Sequence, residues 1–439
     1  PPPTHPPPNP PTMATVPATI ITGALGAGKT TLMRYILTQP HGYRIAVIEN
    51  EFADSMGIES LILKAGVGGA IADGFFELAN GCLCCTQRDG LVATLAKLME
   101  MRERYDYILV ETSGMADPGA VAATFWTDVG EGAAVNLDGI VTVVDAHALA
   151  GDLARPRTAG AVHEVERQIA CADVLLLNKV DLLPVGGDAA AAARAQLTTS
   201  LRRINGLAPH VETVQGAVPL AAILNLRQYG EPSTAAALAA IAGPPAAAAT
   251  CDHCGDAGCA ADHHHDHAAP AAAAAAAAAD GGHTHDAAIT SYTVELPGVL
   301  RQVALQAALG TLLWEHTMPP PRPGEVLPPL PADGEPPLDI LRVKALVWVA
   351  DDADGADFGS AGGAAVIAAA PPAPPTPMLV QGVRDLFDIV PVPPHLLADA
   401  GGEPHVNRFV FIGTGIASPA ARAALRSGLA ACCVTAVVP

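Results

Sequence analysis

The stretch Gly23-Ala-Leu-Gly-Ala-Gly28-Lys29-Thr30 constrains this chain more than any other. It follows the β-branched run Ala18–Thr22 and opens a helical pattern, which is the strand, loop and helix order that an eight-residue phosphate-binding loop requires. Glycines at Gly23, Gly26 and Gly28 let backbone N–H groups, that of Ala27 among them, close around phosphate oxygens, and the helix N-terminus adds its positive end. Lys29 is expected to reach the β- and γ-phosphates, the Thr30 hydroxyl to bind Mg²⁺, and Thr31 to join the nucleotide contacts.

The rest of the chain continues the same rhythm. Short apolar runs recur at Arg44–Glu49, Tyr107–Glu111, Gly139–Asp145, Asp173–Leu177 and His210–Val214, with helical patterns between them, such as Leu91, Leu95 and Leu98 on one face. Alternating strands and helices predict an α/β fold, a doubly wound and mostly parallel sheet, over residues 18–235. The Pro-rich residues 1–17 are expected to be a disordered tail, and the low-complexity residues 236–288 a flexible linker. A smaller α+β domain with a mostly antiparallel sheet is expected over 289–439. It reads strand Ile289–Leu296, helix Gly298–Glu315, strands Leu341–Val349, Met378–Ile389 and Arg408–Ile412, and helix Pro419–Leu429, with residues 351–377 as a disordered loop.

Two further motifs bear on the nucleotide. Asn178-Lys179-Val180-Asp181 follows the apolar strand Val174–Leu177. A carboxylate such as that of Asp181 can accept from the guanine N1–H and exocyclic amine together, a donor pair adenine lacks, and the Lys179 stem can lie along the base. Glu111 ends its strand, where it can hold the Mg²⁺ water or position the attacking water. In Glu111-Thr112-Ser113-Gly114, Ser113 and Gly114 are expected at the phosphates, with the Gly114 N–H toward the γ-phosphate.

Gly81-Cys82-Leu83-Cys84-Cys85 places three thiols within four residues, a soft donor set suited to Zn²⁺ or Cu⁺ rather than Mg²⁺ or Ca²⁺. In an extended segment Cys82 and Cys84 face one side, and Glu51, a water or a residue of another protein can complete the set. Three thiolates with an exchangeable position suit metal transfer; a structural zinc or buried cysteines are the alternatives. Ligands in doubly wound sheets gather at the C-terminal ends of the strands, so metal and nucleotide are expected on one rim. A second tract contains Cys251, His253, Cys254, Cys259, His263, His265 and His267, then His283 and His285, spaced like no closed zinc module; it reads as a loose metal collector or as inert low complexity. Cys171, in an apolar stretch, is expected in the core, and Cys432 and Cys433 in packing.

A net charge of −20 argues against nucleic acid as a partner, and no run of about 18 strongly apolar residues marks a membrane span. The start of the chain carries no basic segment followed by an apolar block, so a cytoplasmic, reducing location is expected, in which clustered cysteines point to metal before disulfides. The oligomeric state is left open.

These residues together resemble the cobalamin-biosynthesis-like (CobW) metallochaperone GTPases, and most of all their zinc-regulated GTPase metalloprotein activator branch. The resemblance rests on Gly23–Thr31, Asn50-Glu51-Phe52, Gly81–Cys85, Glu111–Gly119, Asn178–Asp181, Arg203–Leu207, Leu312–Glu315, Leu341–Lys344, Gln381–Val383 and Asn407-Arg408. It implies GTP hydrolysis with GTP, Mg²⁺ and Zn²⁺ bound, Glu51 as a zinc ligand beside the cysteines, and delivery of zinc to a client metalloprotein that docks on the C-terminal domain. Type 1 methionine aminopeptidase is the client that branch implies. A zinc buffer, or a cobalt or nickel chaperone, is the alternative use of the same residues.

Overall fold

The computed structural model describes residues 15–40, 42–49, 64–65, 87–127, 135–155, 163–229, 238, 241, 289–322, 324–325, 337–350, 374–393, 396 and 406–434. The first sheet contains β1 (Val16–Thr22), β2 (Arg44–Glu49), β3 (Lys64–Ala65), β4 (Tyr107–Glu111), β5 (Val135–Asp145), β6 (Val174–Asn178) and β7 (His210–Thr213). Their order across the sheet is β3-β2-β4-β1-β5-β6-β7, and every pairing is parallel except that of β2 with β3.

Alternation along each strand explains why the runs are apolar throughout. Ile21, Val47, Leu109, Val141 and Leu176 pack on one side against Leu32, Met33 and Ile36 of α1 (Lys29–Thr38). Their neighbours Ile20, Ile48, Ile108, Ile140 and Leu175 pack on the other. There they meet α2 (Gln87–Met99), α3 (Pro118–Thr127), α5 (Glu164–Cys171) and α6 (Gly187–Ile204), through Leu95, Val121, Ile169 and Leu201. The short α4 (Leu149–Leu153) follows β5 and adds Leu149 to that core. Cys171 is fully buried, as its setting predicts, and burial lifts its thiol to about 12, so it is not a reactive thiolate.

The second domain is an antiparallel sheet of β8 (Thr290–Pro297), β9 (Leu300–Arg301), β10 (Asp339–Ala350), β11 (Thr376–Val383), β12 (Leu386–Pro391) and β13 (Val406–Thr414). The order is β12-β11-β10-β13-β8, with β9 added parallel to the end of β10. Helices α7 (Gln302–Leu313) and α8 (Pro419–Ala431) cover it with Leu305, Leu309, Leu312, Leu425 and Leu429. Ser418 caps α8 by accepting from the Ala421 amide at 3.1 Å.

The structure corrects three sequence expectations. Met378–Ile389 is not one strand: the chain reverses at Arg384-Asp385, giving β11 and β12, and Thr376 and Pro377 belong to β11 rather than to a loop. The helix expected from Gly298 starts at Gln302, because Gly298 has φ 110° and Leu300–Arg301 pairs with Val349–Ala350 first. Leu238 and Ile241, expected in the linker, are buried with Leu346, Leu379 and Val392; their spacing of three puts both on one helical face.

The two domains share a core. Ile289, Leu341, Val383 and Ile412 belong to the same apolar cluster as Ile140 and Ile169. An ionic cluster lies beside it. Asp173 is fully buried and pairs with Arg342 and with Lys344 at 3.2 Å, both from β10, while its Oδ2 accepts from the Ile140 amide at 3.0 Å. Burial alone would raise the Asp173 carboxyl, but Arg342 and Lys344 outweigh it and hold its pKa below the ordinary value. Burial pushes Lys344 down to about 8 despite the pull of Asp173.

Candidate functional site

The expected nucleotide residues converge because every parallel strand points the same way. β4, β5, β6 and β7 end at Glu111, Asp145, Asn178 and Thr213, and β1 ends at Thr22 directly before the Gly23–Gly28 loop. Register keeps these ends level: Ile21 lies opposite Glu111, Glu49 opposite Glu111, and Asp145 opposite Asn178. β1 sits between β4 and β5, so the loop after it opens at the point where the strand order reverses.

Two of the loop's glycines are forced by backbone and by space. Gly23 has φ 142° and an added Cβ would lie 2.2 Å from the Val143 carbonyl oxygen; Gly28 has φ 108° and its Cβ would lie 2.2 Å from Asn178 Nδ2. Lys29 Nζ is turned into the loop, donating to the carbonyls of Gly23 at 2.9 Å and Ala24 at 3.2 Å. Thr30 Oγ1 donates to Glu111 Oε1 at 3.2 Å, so a hydroxyl and a carboxylate meet beside the loop. Both are hard oxygen donors, a set that fits Mg²⁺. Glu111 is buried rather than solvated.

The Asn178–Asp181 motif is bound to the same loop. Asn178 Nδ2 donates to the Ala27 carbonyl at 2.9 Å, and its Oδ1 accepts from the Gly216 amide at 3.1 Å. Asn178 therefore ties the Gly23–Gly28 loop to its own Asn178–Asp181 motif and to the loop after β7, which sequence reasoning did not include in the site. The local signal there is the positive-φ pair Gln215 and Gly216, where a Cβ on Gly216 would lie 2.8 Å from Leu32 Cα. Lys179, at φ 64°, forms a 2.6 Å ion pair with Asp145, while Asp181 is exposed in the next turn. Burial raises the Asp145 carboxyl, but Lys179 and the amides of Ala148 and His147 more than offset it, so its pKa is lowered.

The segment after Glu111 is held from behind. Gln168 of α5, almost fully buried, donates to the carbonyls of Gly114 at 2.9 Å and Ala116 at 3.4 Å. Gly114 lies close against the phosphate loop: a Cβ there would be 2.7 Å from the Leu25 amide nitrogen. Gln168 had no signal in the sequence beyond being a polar residue inside a buried run. Ser113 and Thr31 lie in the same neighbourhood by sequence, on the segment after β4 and on α1.

Cys82, Cys84, Cys85 and Glu51 lie outside the described residues, as do Cys251, His253, Cys254, Cys259, His263, His265 and His267. Among the described residues, no helix is long and apolar enough to cross a membrane.

Residues 17–212 match the family described as CobW/HypB/UreG, nucleotide-binding domain, and residues 289–433 match the cobalamin synthesis protein cobW C-terminal domain. Each of the two domains is thus similar to a CobW domain. The chain is similar to the zinc-regulated GTPase metalloprotein activator 1 of Schizosaccharomyces pombe, 39% identical over 224 residues that make up 51% of this chain and 52% of that protein. The zinc chaperone CobW of Sinorhizobium sp is 41% identical over 190 residues, 39% of this chain and 53% of that one. The chain thus spans about half the length of these curated relatives. Among solved structures, Zn(II)-bound YjiA GTPase from E. coli superposes with a TM-score of 0.54 over 94% of this chain and 99% of that chain, at 23% identity, a likeness of fold.

Proposed function

We propose that this protein is a Mg²⁺-dependent GTPase that uses GTP to deliver zinc to a client metalloprotein in the cytoplasm. The observation that carries the reading is the meeting of Lys29, Thr30, Glu111 and the Asn178–Asp181 motif at one rim of the sheet. The zinc-chaperone and zinc-regulated names of its relatives support zinc as the cargo. Type 1 methionine aminopeptidase is the candidate client.

In this account the amides of the Gly23–Gly28 loop hold the phosphates and Lys29 leaves its carbonyl partners for the β- and γ-oxygens. The Thr30 hydroxyl would hold Mg²⁺, which when bound would neutralise charge on the phosphate oxygens. Glu111, at the end of a buried strand, orients the attacking water. Ser113 and the Gly114 amide read the γ-phosphate, Gln168 keeping the Gly114 carbonyl turned away from it. Thr31 completes the contacts to the α- and β-phosphates. Asp181 reads the guanine edge, and Lys179, anchored on Asp145, lines the base. Zinc is the cargo of Cys82, Cys84 and Cys85 with Glu51, and Cys251, His253, Cys254, Cys259, His263, His265 and His267 form weaker collecting sites.

Nucleotide choice tests this reading. The protein should hydrolyse GTP and leave ATP essentially untouched. Asp181→Asn should lose GTP by about 5- to 150-fold, the scale of leaving a polar partner unsatisfied at about 1–3 kcal/mol, and gain xanthosine triphosphate, whose base offers the complementary group. Phosphate release from GTP, ATP and xanthosine triphosphate measures it. Equal hydrolysis of ATP and GTP by the unmodified protein would remove the guanine assignment.

A further inference from the structure

We propose that the second domain supplies a positioning residue for nucleotide turnover: Arg384, acting through Asp117. The inference rests on the nucleotide-site reading above. Residues 111–117 run from Glu111 at the end of β4 to Asp117 directly before α3. The segment is fixed at its start by the Thr30–Glu111 contact and in its middle by Gln168. Asp117 fixes its end. Its Oδ1 accepts from the Gly119 amide at 3.0 Å in the first turn of α3, while its Oδ2 takes Arg167 of α5 at 3.2 Å and Arg384.

Arg384 comes from the other domain, 267 residues along the chain, at the reversal between β11 and β12. Several features present it. Its backbone has φ 56°, a conformation rare for a residue with a side chain, and its amide donates to the Leu341 carbonyl at 3.1 Å. Trp314 Nε1 donates to the carbonyl of the next residue, Asp385, at 2.6 Å. Asp339, at the start of β10, accepts from Arg384 Nη1 at 3.2 Å, so the guanidinium spans one carboxylate of each domain. The receiving side is shaped to match: a Cβ on Gly119 would lie 2.7 Å from Arg384 Cγ, so the glycine lets the arginine stem cross the start of α3. Val383, beside it, is buried in the core of the first domain.

A guanidinium held in a rigid fork constrains its partner more than a flexible ammonium does. The consequence is that the second domain sets the position of Asp117, and through it the segment that carries Glu111 and Gly114. Because these residues are the ones assigned to the attacking water and the γ-phosphate, the effect falls on turnover of GTP and on the preference for GTP over GDP, and spares GDP binding. By linkage, GTP bound in the first domain biases the Arg384 turn, and a partner that binds that turn changes the affinity for GTP by the same factor.

The test uses the full chain with Arg384→Gln, which keeps the length and a donor but removes the charge, and Arg384→Lys. Steady-state GTP hydrolysis, GDP and GTP-analogue affinities, and the number of nucleotide sites per chain are measured for each. Expected is a fall in kcat for Arg384→Gln of about 10- to 100-fold, the scale of a small misplacement of groups at the reacting centre, with GDP affinity and site number unchanged and Arg384→Lys intermediate. Asp117→Asn should lower kcat similarly, and adding Arg384→Gln to it should cost little more, since both changes break the same link. Wild-type kcat in Arg384→Gln overturns the proposal, and so do fully additive effects or a loss explained by fewer nucleotide sites at unchanged turnover per site. A wild-type protein that binds GTP without hydrolysing it overturns the GTPase reading and this proposal together, whereas normal wild-type turnover with an unaffected Arg384→Gln overturns this proposal alone.

Discussion

Replacing Lys29 by alanine is expected to lower GTP turnover by about 10²–10³-fold while the chain stays folded, the scale of losing one preorganised charged donor at developing phosphate charge. The two halves of this expectation come from different contacts. Lys29 Nζ sits on the carbonyls of Gly23 and Ala24, so in the fold it contributes two hydrogen bonds at the mouth of the loop, together worth about 1–2 kcal/mol. The loop has other supports: Asn178 clasps the Ala27 carbonyl, and Ala27 itself is buried under α1. Phosphate-release assays at saturating GTP report the first half, and thermal melting the second. Unchanged turnover would remove Lys29 from the site.

Asp173→Ala should be the most damaging substitution for stability. It leaves Arg342 and Lys344 buried between the domains without their shared carboxylate, and strips the Ile140 amide of its acceptor. Breaking a buried ion cluster from one side costs about 3–5 kcal/mol. At about 2.1 cal/mol/K of unfolding entropy per residue, a chain of this size would drop in Tm by about 3–5 °C. Replacing the cluster as a whole, with Asp173→Leu, Arg342→Met and Lys344→Met together, should recover most of the loss, because no uncompensated charge remains. A single variant that melts like the wild type would show that the cluster carries no net stability.

The same cluster sets an alkaline trend. Lys344 titrates near 8 in the fold against 10.5 as an ordinary lysine, so between those values the unfolded chain holds the extra proton and stability rises with pH. Lys344→Met should flatten that rise. Denaturant midpoints collected from pH 7 to pH 10 check it, and a rise that persists in the variant would assign it to another group.

The phosphate loop, the Asn178–Asp181 motif and Glu111 were legible because each is a short local signal placed at the end of an apolar strand, and parallel pairing then brings the ends level. The strands of the first sheet were legible for a related reason: both faces are buried, so Val174–Asn178 and Tyr107–Glu111 read as unbroken apolar runs. The reversal at Arg384-Asp385 was not legible, since neither residue is the glycine or asparagine that usually marks a left-handed turn position. The contacts that join the domains had no local signature at all. Asp173 meets Arg342 across 169 residues and Asp117 meets Arg384 across 267, and periodicity carries no information over such separations. Gln168 and Gly216 were missed because their importance lies in what they touch, the Gly114 carbonyl and the Asn178 side chain.

The central claim is that nucleotide state governs zinc. The most direct measurement is a competition titration with a chromophoric zinc chelator, performed on the full chain with Mg²⁺ and a non-hydrolysable GTP analogue and repeated with GDP. The account predicts one tight zinc per chain that is held about 5- to 150-fold more strongly in the GTP-analogue form, with the reciprocal preference of zinc for GTP over GDP that linkage requires. It also predicts that Cys82→Ser, Cys84→Ser and Cys85→Ser together abolish that site, while deleting residues 251–285 lowers only the weaker binding. Equal zinc affinity with the GTP analogue and with GDP would contradict the account and leave a zinc buffer as the better description.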